Sequence, residues 1–153
     1  MDVYNVFGEE WNEEHERPDG GRFKDAWIGA CLGSELLGGS MYEVPPNGRA
    51  WPYHYHHGNE ELLIVIAGRP TVRTPEGERV LEPGDCVLFP RGPDGAHNFR
   101  NESDEPARVL MMSTVFWPEV VNYPDSGKVS AGSKFWRGRF FEETTVEYWE
   151  REP

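Results

Sequence analysis

Gly48-Arg-Ala-Trp-Pro-Tyr-His54-Tyr-His56-His-Gly-Asn-Glu-Glu61-Leu-Leu-Ile-Val-Ile-Ala-Gly68 is the stretch that decides how this chain is read. Side chains two apart on an extended strand share a face, so His54 and His56 look one way while Tyr53, Tyr55 and His57 look the other. Two imidazoles thus converge on one point. A turn at Gly58-Asn59 brings the chain back, and the first residues of the returning strand, Glu60 and Glu61, offer a carboxylate to the same point. Downstream, after Gly84 and Pro90, His97 is the sole histidine of the second half of the chain and stands four positions before Asn101.

These two segments resemble the paired signature motifs of the cupin superfamily. The first matches at every fixed position. In the second, Gly84, Pro90, Gly92, His97 and Asn101 stand where the pattern wants them, but Pro93-Asp94-Gly95-Ala96 separates Gly92 from His97 where two residues are usual. The resemblance implies an all-β fold, a double-stranded β-helix or jelly-roll barrel, in which His54, His56, Glu61 and His97 hold one divalent transition metal ion. Glu61 rather than Glu60 is implied because it alone leaves six residues before Gly68.

Composition agrees with that expectation. A chain of 153 residues suffices for one domain with a real core, with the barrel expected over about 36–116 and an appendage over 117–153. Its 17 Gly and 13 Pro punctuate many short extended segments, as an all-β fold requires. A formal charge of −12 argues against direct nucleic-acid binding, which needs clustered Lys and Arg to neutralise phosphates. The one local exception is Lys134-Phe-Trp-Arg137-Gly-Arg139-Phe140, read as a strand with solvated arginines and buried rings. The first residues lack a charged and apolar leader pattern, and no run approaches the ~18 apolar residues of a membrane span, so a cytoplasmic protein is expected. Cys31 and Cys86 lie in strand-like apolar segments and read as small core residues.

Along the chain, Glu9 to Glu16 reads as a short helix ended by Pro18 and Gly20-Gly21, with His15 solvated. Strands are expected from Asp25 to Leu32, Leu36 to Val44, Glu61 to Ala67, Thr71 to Thr74, Arg79 to Leu81, Cys86 to Phe89 and Arg108 to Phe116. Aromatic segments follow at Phe135 to Phe141 and Val146 to Trp149. Glu61 to Ala67 is apolar on both parities, so Leu62, Ile64 and Ile66 need a cover opposite the barrel interior, and a homodimer is expected to help supply it.

Three imidazoles and a carboxylate suit Fe, Mn, Ni, Zn or Cu. Four protein ligands leave up to two positions on an octahedral ion for water, dioxygen or a chelating substrate oxygen. The expected activity is a metal-dependent small-molecule enzyme, a dioxygenase-like oxidoreductase; the alternatives are a metal-dependent isomerase and a non-catalytic sugar- or metabolite-binding or regulatory module. Trp51, Asp94 and Asn98, near the ligands in sequence, are the candidate substrate-pocket residues.

Overall fold

Turn residues set the strand lengths. In the computed structural model, which describes residues 1–143, 146–147 and 150–151, the strands are β1 (Glu13–Glu16), β2 (Arg22–Ala26), β3 (Leu37–Val44), β4 (Tyr55–His56), β5 (Glu61–Ala67), β6 (Thr71–Thr74), β7 (Gly77–Val80), β8 (Cys86–Phe89), β9 (Asn98–Arg100), β10 (Ala107–Thr114), β11 (Glu119–Tyr123), β12 (Lys128–Gly132) and β13 (Arg137–Phe141). A single helical turn, α1 (Ile28–Cys31), and a 3-10 turn over Pro93–Gly95 interrupt them. The glycine that ends β5 is needed for its backbone. Gly68 has φ 74°, and a Cβ there would run into the Pro106 carbonyl at the start of β10.

All pairings are antiparallel, and they build a six-stranded sheet in the order β1-β2-β3-β10-β5-β8, a four-stranded sheet β13-β12-β11-β4 and a three-stranded sheet β7-β6-β9. The two smaller sheets meet at an isolated bridge between His54 and His97. Each of the two donates its amide to the other's carbonyl, His54 N to His97 O at 3.1 Å and His97 N to His54 O at 2.8 Å. The joined smaller sheets face the large one. Between the layers lie Val44, Leu63, Val65, Val72, Phe89, Phe99, Val109 and Met111, contributed by both sides. This is the double-walled, all-β architecture expected from the motifs.

Asn101, fully buried, locks the loop after β9. Its Nδ2 donates to the carbonyls of Val44 (2.9 Å) and Glu105 (2.8 Å), and its Oδ1 accepts from the amide and hydroxyl of Ser103. That side chain thereby satisfies backbone groups that would otherwise be buried without partners.

Several local expectations are overturned. Glu9 to Glu16 makes no helix: Glu13–Glu16 is a strand paired with β2, because Pro18-Asp19-Gly20 builds a hairpin turn in which the Gly21 amide donates to Asp19 Oδ1. His15 is stacked on Phe23 with ring centres 4.5 Å apart and bonds Asp25 at 3.0 Å, so it is held rather than solvated. The strand expected to reach Leu32 stops at Ala26 and gives way to α1. Cys31 and Cys86 are both exposed. For Cys86 the reason is parity: on the edge strand β8, Val87 and Phe89 take the inward positions and leave Cys86 and Leu88 outside. Within β5, Leu63 and Val65 are buried, whereas Leu62, Ile64 and Ile66 are half-buried on the outer face. The segment expected as an appendage supplies β11, β12 and β13. Of the second aromatic segment, Val146 is exposed, while Tyr148 and Trp149 lie outside the described residues.

Candidate metal centre

The strand parity read from the sequence holds. Tyr53, Tyr55 and His57 turn away from the interior: the Arg73 guanidinium lies 3.9 Å over the Tyr53 ring, and His57 Nε2 bonds Asn122 Oδ1 at 2.9 Å. His54, His56 and Glu61 offer ligand atoms all within 4.8 Å of one another. His97 Nε2 adds a fourth donor, 3.1 Å from Glu61 Oε2, and His56 Nε2 lies 3.5 Å from the same oxygen. Glu61 thus brings a carboxylate to the cluster, while Glu60, one residue before β5, is exposed.

The imidazoles are oriented before any ion arrives. His54 Nδ1 donates to the Pro52 carbonyl and His97 Nδ1 to the Gly95 carbonyl, both at 2.9 Å, which leaves each Nε2 lone pair for the centre. The four-residue spacing between Gly92 and His97 acquires a purpose here. Its extra residues coil into the 3-10 turn that presents the Gly95 carbonyl to His97. Behind the ligands, the His97 ring stacks on Phe89 with centres 3.7 Å apart and planes 4° from parallel.

A cation fits this donor set. His97 Nε2 and Glu61 Oε2 are buried without a hydrogen-bond partner among the described residues. An imidazole lone pair facing a carboxylate oxygen at 3.1 Å is repulsive unless a proton or a metal ion lies between them. Two cis ligands on an ion with bonds near 2.1 Å stand roughly 3.0 to 3.4 Å apart; of the two distances to Glu61 Oε2, 3.1 Å lies within that range and 3.5 Å just above it. Burial and the two neighbouring imidazoles push the His54 pKa down to about 3, so it is a neutral ligand across the physiological range. For Glu61, burial works to raise the pKa, but the hydrogen bond to His97, made when a proton lies between the two, and the neighbouring imidazoles outweigh it, and the carboxyl is held below its ordinary value.

Glu119, absent from the sequence reading, completes the centre. It sits at the start of β11, nearly buried, with Oε2 3.6 Å from His56 Nδ1. Oε1 accepts from the amides of Gly58 (3.0 Å) and Val120 (2.8 Å), while Asn59 Nδ2 donates to Oε2. Asn59 is itself fixed by the Phe116 amide at 2.7 Å and the Thr114 hydroxyl at 3.1 Å. Three donors fix the carboxylate and leave Oε2 facing the side of His56 that looks away from the ligand set, which makes Glu119 a positioning residue. Substituting Glu119→Gln is expected to weaken metal affinity about tenfold, measured by chelator competition, with Glu119→Asp restoring less than half of the loss. An unchanged affinity in Glu119→Gln would remove Glu119 from this role.

The centre opens into a cavity of about 300 Å³ whose wall includes Asn59, Glu119, Tyr123, Ser130, Arg137 and Arg139. The three pocket residues expected from sequence lie elsewhere. Trp51 packs behind the histidines, 4.8 Å from the Phe99 ring centre and edge-on to His54 and His97. Asn98, next to His97 in sequence, takes the opposite parity and lines a separate groove with Trp51 and Arg73. Asp94 is exposed on the 3-10 turn.

Residues 40–113 match the family model described as a cupin domain. That stretch of the chain is a cupin domain. A sugar phosphate isomerase of the cupin superfamily from Silicibacter pomeroyi superposes with a TM-score of 0.82 at 22% identity, covering 97% of this chain and 98% of its own. A protein assigned provisionally as a sugar phosphate isomerase from Acidithiobacillus ferrooxidans gives 0.76 at 23% identity over 82% and 80% of the two chains. The polyketide cyclase of Streptomyces resistomycificus gives 0.52 at 23% identity over 60% and 64%. At these identities the likeness to this cupin is one of fold. No curated protein matches the sequence. Among the described residues, no helix is long and apolar enough to cross a membrane.

Proposed function

We propose that this cupin is a metal-dependent enzyme that moves a proton on a small hydroxylated metabolite, an isomerase-type reaction. The observation that carries the reading is the opening of the His54, His56 and Glu61 cluster, with His97 beside it, into a solvent-open cavity of about 300 Å³ with mixed polar and apolar walls, the lower end of the size range for small-molecule sites. A divalent transition ion held by the four residues supplies a Lewis acid that polarises a substrate hydroxyl or carbonyl. The chain's own groups do the rest. His54 and His97 keep their Nε2 atoms aimed by fixed Nδ1 donations, and Tyr123 and Ser130 offer hydroxyls along the cavity wall for a polar ligand. The Silicibacter protein, described as a sugar phosphate isomerase and matched along its whole length, supports a substrate of sugar size.

A second reading, a dioxygenase-like oxidoreductase, is favoured by the mixed nitrogen and oxygen ligand set, which suits iron. Elemental analysis of protein purified without added metal comes first. The native-ion protein is then incubated with aldose and ketose phosphates in D2O. Deuterium entering the carbon next to the carbonyl, seen by NMR, supports proton transfer; oxygen uptake on an enediol or catechol without such exchange replaces the isomerase with the oxygenase. Ligand binding with neither leaves a non-catalytic binding cupin.

The same reading includes a two-fold homodimer. In register across the large sheet, Met112, Leu62 and Leu88 form one outward row, and Leu110, Ile64 and Cys86 the next. Leu88 is 59% exposed, and burying this patch against a second copy removes apolar surface from water. Light scattering is expected to give twice the 17.5 kDa chain mass, and Leu88→Glu to return it to one chain; a single-chain mass for the unmodified protein overturns the dimer.

A further inference from the structure

The basic and aromatic run Lys134 to Phe140, conspicuous on a chain of net charge −12, takes no part in holding the metal. Its arginines nevertheless belong to the same cavity. In the register of the four-stranded sheet, His56 is opposite Val121, Val121 opposite Ser130, and Ser130 opposite Arg139. Directly opposed residues share a face, so one row of side chains runs from a metal ligand to Arg139. The neighbouring row runs from Glu119 through Gly132 to Arg137. Three interstrand steps separate His56 from Arg139, roughly 14 Å between backbones. After the imidazole and the guanidinium have each reached inward, that span leaves room for a molecule a few carbons long.

The arginines are also uncommitted. With 27 acidic residues in the chain, several arginines elsewhere find carboxylates: Arg73 pairs with Asp125 at 2.6 Å, Arg100 with Glu78 at 2.7 Å and Arg108 with Glu43 at 2.5 Å. Neither the Arg137 nor the Arg139 side chain has an ion pair or hydrogen bond to a described residue, and Arg137 instead lies with its guanidinium 5.5 Å over the Trp117 ring, another wall of the cavity. The two acids on that wall are engaged already, Glu61 at the centre and Glu119 by the Gly58, Val120 and Asn59 donors.

We propose that Arg137 and Arg139 form the anion-binding end of the cavity and grip the terminal phosphate monoester of a substrate whose other end lies at the metal centre. The proposal rests on the metal-enzyme reading for the second half of that statement alone. Phosphate is assigned over carboxylate because one guanidinium fork saturates the two oxygens of a carboxylate. Two forks projecting from alternate positions of one strand match the three terminal oxygens and nearly two charges of a phosphate monoester.

Isothermal titration with ribose 5-phosphate, ribose and ribonate tests it on the zinc-loaded chain and on Arg137→Gln, Arg139→Gln, the double variant and Lys134→Gln. Charged hydrogen bonds of this kind set the expected loss at about tenfold per arginine and on the order of a hundredfold for the double variant, with Lys134→Gln within about twofold of the parent. Ribose 5-phosphate is expected to bind more tightly than ribose, and its advantage to disappear in the double variant. Phosphate binding that survives in the double variant, or ribose 5-phosphate no tighter than ribose, overturns the proposal. Ribonate bound more tightly than ribose 5-phosphate, with that preference lost in the double variant, overturns the phosphate assignment in favour of a carboxylate. Both arginines are exposed, and an unchanged zinc content shows that the variants remain folded. A parallel titration of inorganic phosphate into His54→Ala protein, stripped of metal, reads the arginines alone. Arginine-dependent binding there, beside a parent that takes up no metal, would sink the metal reading and leave the anion site standing.

Discussion

Glu61→Gln is expected to lower affinity for the bound ion by at least about a hundredfold, because it removes the one anionic ligand of the set and leaves three neutral imidazoles. Its neighbour provides the control. Glu60, one residue before β5, is exposed, so Glu60→Gln should leave metal content within twofold of the parent. Chelator competition on both variants decides the matter. Equal losses, or a greater loss for Glu60→Gln, would mean that the carboxylate is assigned to the wrong residue. The amide is nearly isosteric with the acid, so a loss of metal without a loss of fold separates ligation from packing.

Acid should destabilise the metal-free protein through His54. In the unfolded chain this imidazole takes up a proton near its ordinary value of 6.5, whereas in the fold burial and the flanking imidazoles push it down to about 3. Between those limits the unfolded state binds more protons than the native one, so stability is full above pH 6.5 and falls as pH drops toward 3. The loss attributable to this one group is on the order of 5 kcal/mol at the acid end, a large share of a domain's usual stability. Urea unfolding at pH 7 and pH 4 measures it, with His54→Gln as the variant in which the pH slope should flatten. An equally steep slope in His54→Gln would place the acid sensitivity elsewhere.

The ligand set was legible because its signals are local. His54 and His56 sit two apart on one strand, Glu61 opens the next, and a glycine after each segment fixes the backbone that brings them together. The wall of the cavity was not legible, since it is built by sheet pairing across long sequence separations. Glu119 reaches Asn59 and Gly58 over some sixty residues, and Arg139 reaches the His56 row only through β12 and β11. One signal was nevertheless present. Glu119 is the lone acid between Pro106 and Pro124, in a largely apolar and aromatic stretch, and a lone buried acid needs partners. Nearness in sequence misled for Asn98, because the residue after a ligand on a strand points to the other face. The helix expected over Glu9 to Glu16 failed for a related reason: the Pro18-Asp19-Gly20 turn folds that segment back on β2, and pairing overrode local propensity.

The reciprocal amide bonds between His54 and His97 also bear on how long an ion stays. These bonds are the stitch between the two smaller sheets, and the stitched residues are two of the four proposed ligands. Any fluctuation that parts the sheets at this seam pulls two imidazoles away from each other, and an ion bridging them resists the parting. Residence time of the ion and the opening frequency of the seam are therefore one quantity seen from two sides. The exchange rates of two backbone amides should track occupancy of the centre more faithfully than any contact made by the solvent-facing loops.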